Sequence, residues 1–259
     1  KTYTITTNAG EGGSIDATKT VNVGGSAKFK IKPSEGYDIE DVKVDGKSIG
    51  AVSVYEFPNV MANHTISATF KKIEQIYDFT DVKEGAWYYG PVMMACKEGW
   101  FAGTSETTFS PNNAMTRGMI ATVLWRIEGE KTAKAHSFRD VATGKYYNAG
   151  VAWAVENGIV SGYGNNVFGP EDSITREQLA VMLYNYAKYK GYDLGASNDL
   201  SKFEDGNGTS AYALNAIKWA VGSGVINGKG DGILDPTGNS TRAEVATMLM
   251  KFLEKQHRD

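Results

Sequence analysis

The chain has one cysteine, three histidines and six prolines among its 259 residues. A single cysteine excludes an internal disulfide, and Cys96 falls on an apolar helical face, where a small buried residue is expected. His64, His136 and His257 are scattered without zinc spacing, so no metal site is expected. No apolar run approaches the roughly 18 residues that would span a bilayer. The formal net charge of −3 gives no electrostatic case for nucleic acid or an anionic membrane. A nucleophile elbow, a Walker loop and a dinucleotide fingerprint are all missing, so no catalytic residue and no cofactor is expected. The stretch 228–233 is glycine-rich, but it lacks the spaced carboxylates and closing glutamate of a calcium loop and reads as a turn. The first residues carry neither the charged nor the apolar part of a signal peptide, so such a leader is expected to be removed or to lie outside this sequence.

What is present divides into two kinds of pattern. Over residues 1–71 the period is two. Tyr3–Thr6, Val21–Val23, Ala27–Ile31, Val42–Val44, Val54–Phe57 and Thr65–Phe70 alternate, with turn signals at Gly12-Gly13, Gly24-Gly25 and Asp45-Gly46. Six or seven short strands predict a small sandwich or barrel-like β module over 1–72, with His64 as a turn residue. Asn63-His64-Thr65 also matches a glycosylation sequon. The pieces Gly36-Tyr37-Asp38-Ile39, Val42-Lys43-Val44-Asp45-Gly46 and Tyr55-Glu56-Phe57 resemble a repeat module of secreted bacterial surface proteins. That resemblance implies a stalk or spacer.

After a polar joint at 71–75 the period becomes helical and the chain repeats itself three times. Each copy opens on Phe-x-Asp: Phe79-Thr80-Asp81, Phe138-Arg139-Asp140, Phe203-Glu204-Asp205. An aromatic follows, Trp87, Tyr146 or Tyr212. Then comes a helix that ends at Gly99, Gly158 or Gly224, natural C-caps. Gly103, Gly162 or Gly228 stands four residues on, followed by Phe109-Ser110-Pro111, Phe168-Gly169-Pro170 or Leu234-Asp235-Pro236. A Thr-Arg pair closes the copy: Thr116-Arg117, Thr175-Arg176, Thr241-Arg242. Glycine to arginine is 14 residues in every copy, and aspartate to arginine is 36, 36 and 37. The threonines predict N-caps, completed into capping boxes by Gln178 and Glu244 but not by Met119, so the first cap is expected to be weaker by about 0.5–1 kcal/mol. An arginine beside unpaired first-turn amides is a place for an anion. Trp153 and Trp219 lie on the more apolar face and are expected to pack inside. The joints 128–137 and 188–202 are polar and read as linkers.

These copies look like tandem S-layer homology domains, over roughly 77–130, 136–190 and 200–257. The resemblance implies an α+β multidomain chain: an all-β N-terminal module, then a mainly α, pseudo-threefold assembly of three helix-loop-helix copies with a central bundle and grooves between neighbours. It implies non-covalent anchoring, without enzymatic activity, to a secondary cell-wall polysaccharide carrying pyruvate ketals, on the surface of a Gram-positive-type bacterium. The partner is that polysaccharide; nucleic acid and membrane insertion are not expected, and the chain is expected to be monomeric. A ketal carboxylate suits Arg117, Arg176 and Arg242. Sugar faces suit Trp87, Tyr146 and Tyr212, and sugar hydroxyls suit Asp81, Asp140 and Asp205. Gly103, Gly162 and Gly228 let a ligand approach the backbone.

Each of these residues also has a plainer reading. The arginines can pair with the aspartates and brace each copy, the aspartates can be caps or turn formers, the aromatics half-buried helix residues and the glycines ordinary turns. The third copy departs most, with Gly206 for Val, an extra residue before Tyr212 and Leu234 for Phe; its groove is the one expected to be weakened, and Arg176 is expected to have the fullest setting. Two other functions fit less well: an S-layer self-assembly or protein-interaction module, and a polysaccharide-acting hydrolase using groove carboxylates.

Overall fold

The computed structural model describes residues 1–73 and 77–256. It has a β-rich N-terminal region and then six helices, a mixed α+β chain. Two compact units are separate, 1–76 and 77–259. His257, Glu74 and Gln75, which the sequence reading named, lie outside the described residues.

The N-terminal unit has eight strands: β1 (Thr2–Ala9), β2 (Gly13–Ile15), β3 (Lys19–Asn22), β4 (Ala27–Pro33), β5 (Tyr37–Val44), β6 (Lys47–Gly50), β7 (Val54–Phe57) and β8 (His64–Lys72). They form a five-stranded sheet in the order β3-β1-β8-β5-β6 and a three-stranded sheet β2-β4-β7. Alternation sets the faces. In β4, Ala27, Phe29 and Ile31 are buried while Lys28, Lys30 and Lys32 face water. They meet Ile5, Val42, Phe57, Ile66 and Ala68 in one core. The Asp45-Gly46 signal is the β5–β6 turn, with φ of 49° and 80°, the paired positive values of a tight hairpin. Two strands escaped the sequence reading. β2 has three residues and opens on a glycine taken as a turn; β6 is exposed throughout and so carries no alternation. His64 is not a turn residue but the first residue of β8, its Nδ1 2.7 Å from Asp45 Oδ2.

The second unit alternates short and long helices: α1 (Tyr89–Lys97), α2 (Arg117–Ile127), α3 (Asn148–Glu156), α4 (Arg176–Lys190), α5 (Leu214–Gly222) and α6 (Arg242–Gln256). Gly99, Gly158 and Gly224 follow α1, α3 and α5 with φ of 73°, 67° and 74°, the left-handed stop that only glycine adopts without strain. The long helix of each copy packs on the short helix of the next: α2 on α3, α4 on α5, and α6 back on α1. Gly150 permits the first of these, since a Cβ there would stand 2.8 Å from Thr122 Cα. Trp153 and Trp219 are buried, as their face predicted, Trp153 against Tyr186 and Tyr189, Trp219 against Tyr184 and Phe252.

The residues just before the three Thr-Arg pairs tie the copies together. Ile174 N donates to Met115 O at 2.8 Å, Met115 N to Ser240 O at 3.0 Å, and Ser240 N to Ile174 O at 2.9 Å. Three backbone bonds thus form a closed cycle, one residue from each copy, all buried. The joints are more than linkers. Glu128, in the first, is buried at the end of α2 and receives Lys131 (2.6 Å), Lys190 (2.6 Å) and the Tyr186 hydroxyl (2.8 Å). Burial pushes its carboxyl up, but these three donors overcome that and hold it at about 2. Leu200, in the second, is buried; its backbone oxygen lies 2.5 Å from where a Cβ on Gly206 would be, so glycine stands where the other copies have valine.

Candidate functional site

The arginines do not pair with the aspartates: among the described residues no ion pair joins them. Each instead crosses to the next copy and donates to two of its carbonyls. Arg117 Nε reaches Phe168 O (2.9 Å) and Nη2 reaches Ser161 O (2.8 Å). Arg176 Nε reaches Leu234 O (2.9 Å) and Nη2 Asn227 O (2.7 Å). Arg242 closes the circle on the first copy, to Phe109 O and Ala102 O, both at 2.7 Å. All three side chains are buried. Burial pulls their pKa values down from the usual guanidinium value.

The aspartates hold the loops that the arginines reach. Asp81 accepts from the amides of Phe109 (2.8 Å) and Ser110 (2.7 Å), Asp140 from Phe168 (2.9 Å) and Gly169 (2.7 Å), and Asp205 from Leu234 (2.8 Å) and Asp235 (2.7 Å). For Asp140 and Asp205 burial acts upward, yet the two amides win and the carboxyls sit below their usual range. One residue, Phe109, Phe168 or Leu234, therefore gives its amide to an aspartate of its own copy and its carbonyl to an arginine of the preceding one. The fixed Asp-to-Arg spacing within a copy does not record that bridge, whose aspartate and arginine belong to different copies.

Nor are the helix starts open to an anion. Arg117 N donates to Asp172 O (3.0 Å), Gly118 N to Pro170 O (2.9 Å) and Met119 N to Thr116 Oγ1 (3.3 Å). The same pattern recurs at Arg176 and Glu177, and at Arg242 and Ala243, whose amides meet carbonyls of the following copy. The caps are as expected. Thr175 and Thr241 have reciprocal bonds from Gln178 and Glu244, while Thr116 receives Met119 N without a return.

Beside each crossing arginine lies a cleft, and each is lined by all three copies. One holds Arg117 of the first copy, Ser161, Gly162, Tyr163, Gln178 and Asn185 of the second and Tyr212 of the third, with a volume of 420 Å³. Another holds Arg176, then Gly228, Lys229, Glu244 and Lys251, then Trp87, with 470 Å³. The last holds Arg242, then Trp100, Gly103, Thr104, Met119 and Arg126, then Tyr146, with 300 Å³. Trp87, Tyr146 and Tyr212 are 63%, 53% and 61% exposed, so large ring faces stand open opposite a buried cation. The glycines line the clefts but also answer to packing. A Cβ on Gly162 would stand 2.3 Å from Val167 O and 2.6 Å from the Phe138 ring, and Gly103 and Gly228 meet Phe79 and Phe203 in the same way.

The crossing alters the ranking expected of the copies. Arg176, expected to have the fullest setting, serves the cleft of the third copy, the one expected to be weakest. That cleft is present; a 3-10 turn at Gly206–Gly208 lies between Asp205 and Tyr212, where this copy carries its extra residue. Leu234 does leave a mark. Arg117 and Arg242 lie over Phe168 and Phe109 at 4.7 and 4.3 Å, and among the described residues Arg176 has no such ring.

Several cleft residues escaped the sequence reading. Arg126, Asn185 and Lys251 stand seven residues after Met119, Gln178 and Glu244, about two turns along the same helix face, a spacing that could have found them. Thr104, Tyr163 and Lys229 each follow the cleft glycine directly. Glu177 is buried and accepts from Ser210 N, Ser210 Oγ and the Tyr212 hydroxyl (2.9 Å). It fixes one rim aromatic, whose phenol burial and that bond push up to about 12. Among the described residues no group of three or more His, Cys, Asp or Glu is placed to hold a metal ion.

The S-layer homology domain matches this chain three times, at residues 78–118, 137–180 and 202–246. The chain belongs to the S-layer homology domain family. The similar proteins are diverse. An endoglucanase of Bacillus sp. (strain KSM-635) is 32% identical over 180 residues, 69% of this chain and 19% of its own length. A surface-layer 125 kDa protein of Lysinibacillus sphaericus is 28% identical over 159 residues, 60% of this chain and 13% of its own. A cellulosome-anchoring protein of Acetivibrio thermocellus is 26% identical over 152 residues, 57% of this chain and 34% of its own. The chain thus spans well under two thirds of each relative. The three S-layer homology copies are the three sequence repeats, and their clefts are those described above.

Proposed function

We propose that the three S-layer homology copies form a pseudo-threefold unit that anchors a bacterial surface protein, without covalent linkage, by binding a cell-wall polysaccharide that carries pyruvate ketals. The observation that carries this is the recurrence of one cleft design: a buried arginine contributed by one copy, a glycine loop and helix face by the next, and an exposed aromatic by the third. An aromatic face suits the apolar face of a sugar ring, and the arginine hydrogens not given to carbonyls suit a carboxylate. Trp87, Tyr146 and Tyr212 are the stacking platforms in this reading, and Arg117, Arg176 and Arg242 the cationic floor. Gly103, Gly162 and Gly228 bring backbone to the ligand; Asp81, Asp140 and Asp205 act chiefly through the loops they hold.

Family membership, together with relatives named as surface-layer and cellulosome-anchoring proteins, supports cell-surface anchoring on a Gram-positive-type envelope. The hydrolase among the relatives matches over a minor share of its length, so its name gives no reason to assign catalysis here. In this reading the β unit is the spacer that holds the anchor away from what it carries. Cosedimentation of the chain with purified cell wall tests the proposal. Binding is expected, with most of it lost after mild acid removes the ketals. No binding to intact wall overturns anchoring; equal binding to depyruvylated wall overturns the ketal as the recognised group.

A further inference from the structure

Asparagine precedes glycine at Asn157, Asn207 and Asn227. Asn-Gly is the pair most prone to lose ammonia, because glycine has no side chain to keep its amide nitrogen from the asparagine side chain. Two of the three pairs are tied down. Asn157 stands at the end of α3, its Nδ2 donating to Trp153 O at 2.8 Å while Gly158 N donates to Val155 O at 3.0 Å. Asn207 lies in the 3-10 turn, where Gly208 N donates to Asp205 O at 2.9 Å. Asn227 is exposed and lies outside any helix or strand. Among the described residues neither its side chain nor Gly228 N makes a hydrogen bond. Its backbone carbonyl is the one that Arg176 Nη2 reaches at 2.7 Å. The equivalent carbonyls of the other crossings belong to Ser161 and Ala102, which carry no side-chain amide.

We infer that Asn227 is a self-modification site, where the Arg176 crossing promotes conversion of the asparagine to isoaspartate. The Gly228 nitrogen gives up its proton and bonds to Asn227 Cγ. The Cγ–Nδ2 bond breaks, and the side-chain nitrogen leaves with that proton as ammonia. A guanidinium on the Asn227 oxygen draws electrons from the same peptide unit, so it stabilises the deprotonated nitrogen that attacks. Water then opens the cyclic imide. Arg176 still holds the backbone carbonyl and stabilises the negative charge that grows on that oxygen as water adds. The imide nitrogen is therefore released from the backbone carbon and stays on Cγ, which is isoaspartate. The former carbonyl becomes a carboxylate facing Arg176, and the main chain is lengthened by a methylene carbon between Asn227 and Gly228. The cleft that Arg176 and Asn227 line thus ages, while the other two have no such route. The change does not depend on what the clefts bind.

The test incubates the whole chain at mildly alkaline pH, folded and in urea. Conversion at each Asn-Gly pair is followed by peptide mass spectrometry, with isoaspartyl methyltransferase to separate isoaspartate from aspartate. Folding is expected to slow Asn157 and Asn207 by about tenfold and to leave Asn227 near its rate in urea. The isoaspartate share at Asn227 is expected to be higher in the folded chain than in urea. Asn227→Ser keeps the carbonyl and copies the second repeat, so it is expected to melt as wild type does and to lose the modified peptide. A folded chain in which Asn227 slows as much as the other two overturns the site. An isoaspartate share no higher folded than in urea overturns the part given to Arg176.

Discussion

The floor of each cleft and its rim are built from different kinds of residue. The floor is the arginine, the aspartate and the glycine, the same in all three copies and buried or tightly bonded. The rim is the exposed aromatic, the residue after the glycine, the third residue of the long helix and the residue seven further on, and these change from copy to copy. The floor joins copies, each arginine giving its Nε and Nη2 to carbonyls across a boundary. The rim faces solvent and distinguishes one cleft from another. Repetition within this chain therefore marks what the assembly needs, and departure from repetition sets the clefts apart from one another.

The sharpest way to break this division is at the floor. Arg176→Ala leaves Leu234 O and Asn227 O without their donor in a buried junction and is expected to cost about 3–5 kcal/mol, measured by urea denaturation. A loss under 1 kcal/mol would make the arginine a ligand residue rather than a joint. Asp140→Ala orphans the Phe168 and Gly169 amides, with an expected loss of about 2–4 kcal/mol in the same assay. Glu128→Gln tests the joint between copies by pH. The carboxyl is held at about 2, below its ordinary value, so it adds stability that is full above roughly pH 4.5 and drains away as pH falls toward 2. The variant is expected to have a flatter acid limb and to be about 2–3 kcal/mol less stable at neutral pH. Gln178→Ala opens the α4 capping box and costs about 0.5–1 kcal/mol. At the rim, Trp87→Ala is expected to change stability by no more than about 0.5 kcal/mol while lowering wall affinity several-fold. A destabilising Trp87→Ala would put that ring in the floor.

Much of this was legible in the sequence because it is local. Caps, glycine stops, the Asp-Gly hairpin and the buried faces of Trp153 and Trp219 follow from a few neighbouring residues. The copies themselves were legible because spacing is a one-dimensional property. The crossing of Arg117 to Ser161 was not. Nothing near an arginine tells which carbonyls, 44 or 51 residues on, will receive it. The open helix starts were misread for the same reason, since the carbonyls that occupy them belong to another copy. Residues such as Asn185 and Lys251 drew no notice because a polar side chain late in a helix is commonplace until a glycine loop from its own copy and an aromatic from the next are laid beside it.

The bond from Arg242 to Ala102 O joins residues 140 apart, the longest reach of the three crossings. As a chain grows from its N-terminus, the first copy can settle on the second as soon as both exist. The carbonyls of Ala102 and Phe109 must wait for α6, and Arg176 must wait for Leu234. No cleft is whole until the last copy has been made, because each draws on all three. The three-copy unit thus comes into being late, and a chain cut short before its third copy would carry two of the three repeats and none of the completed clefts.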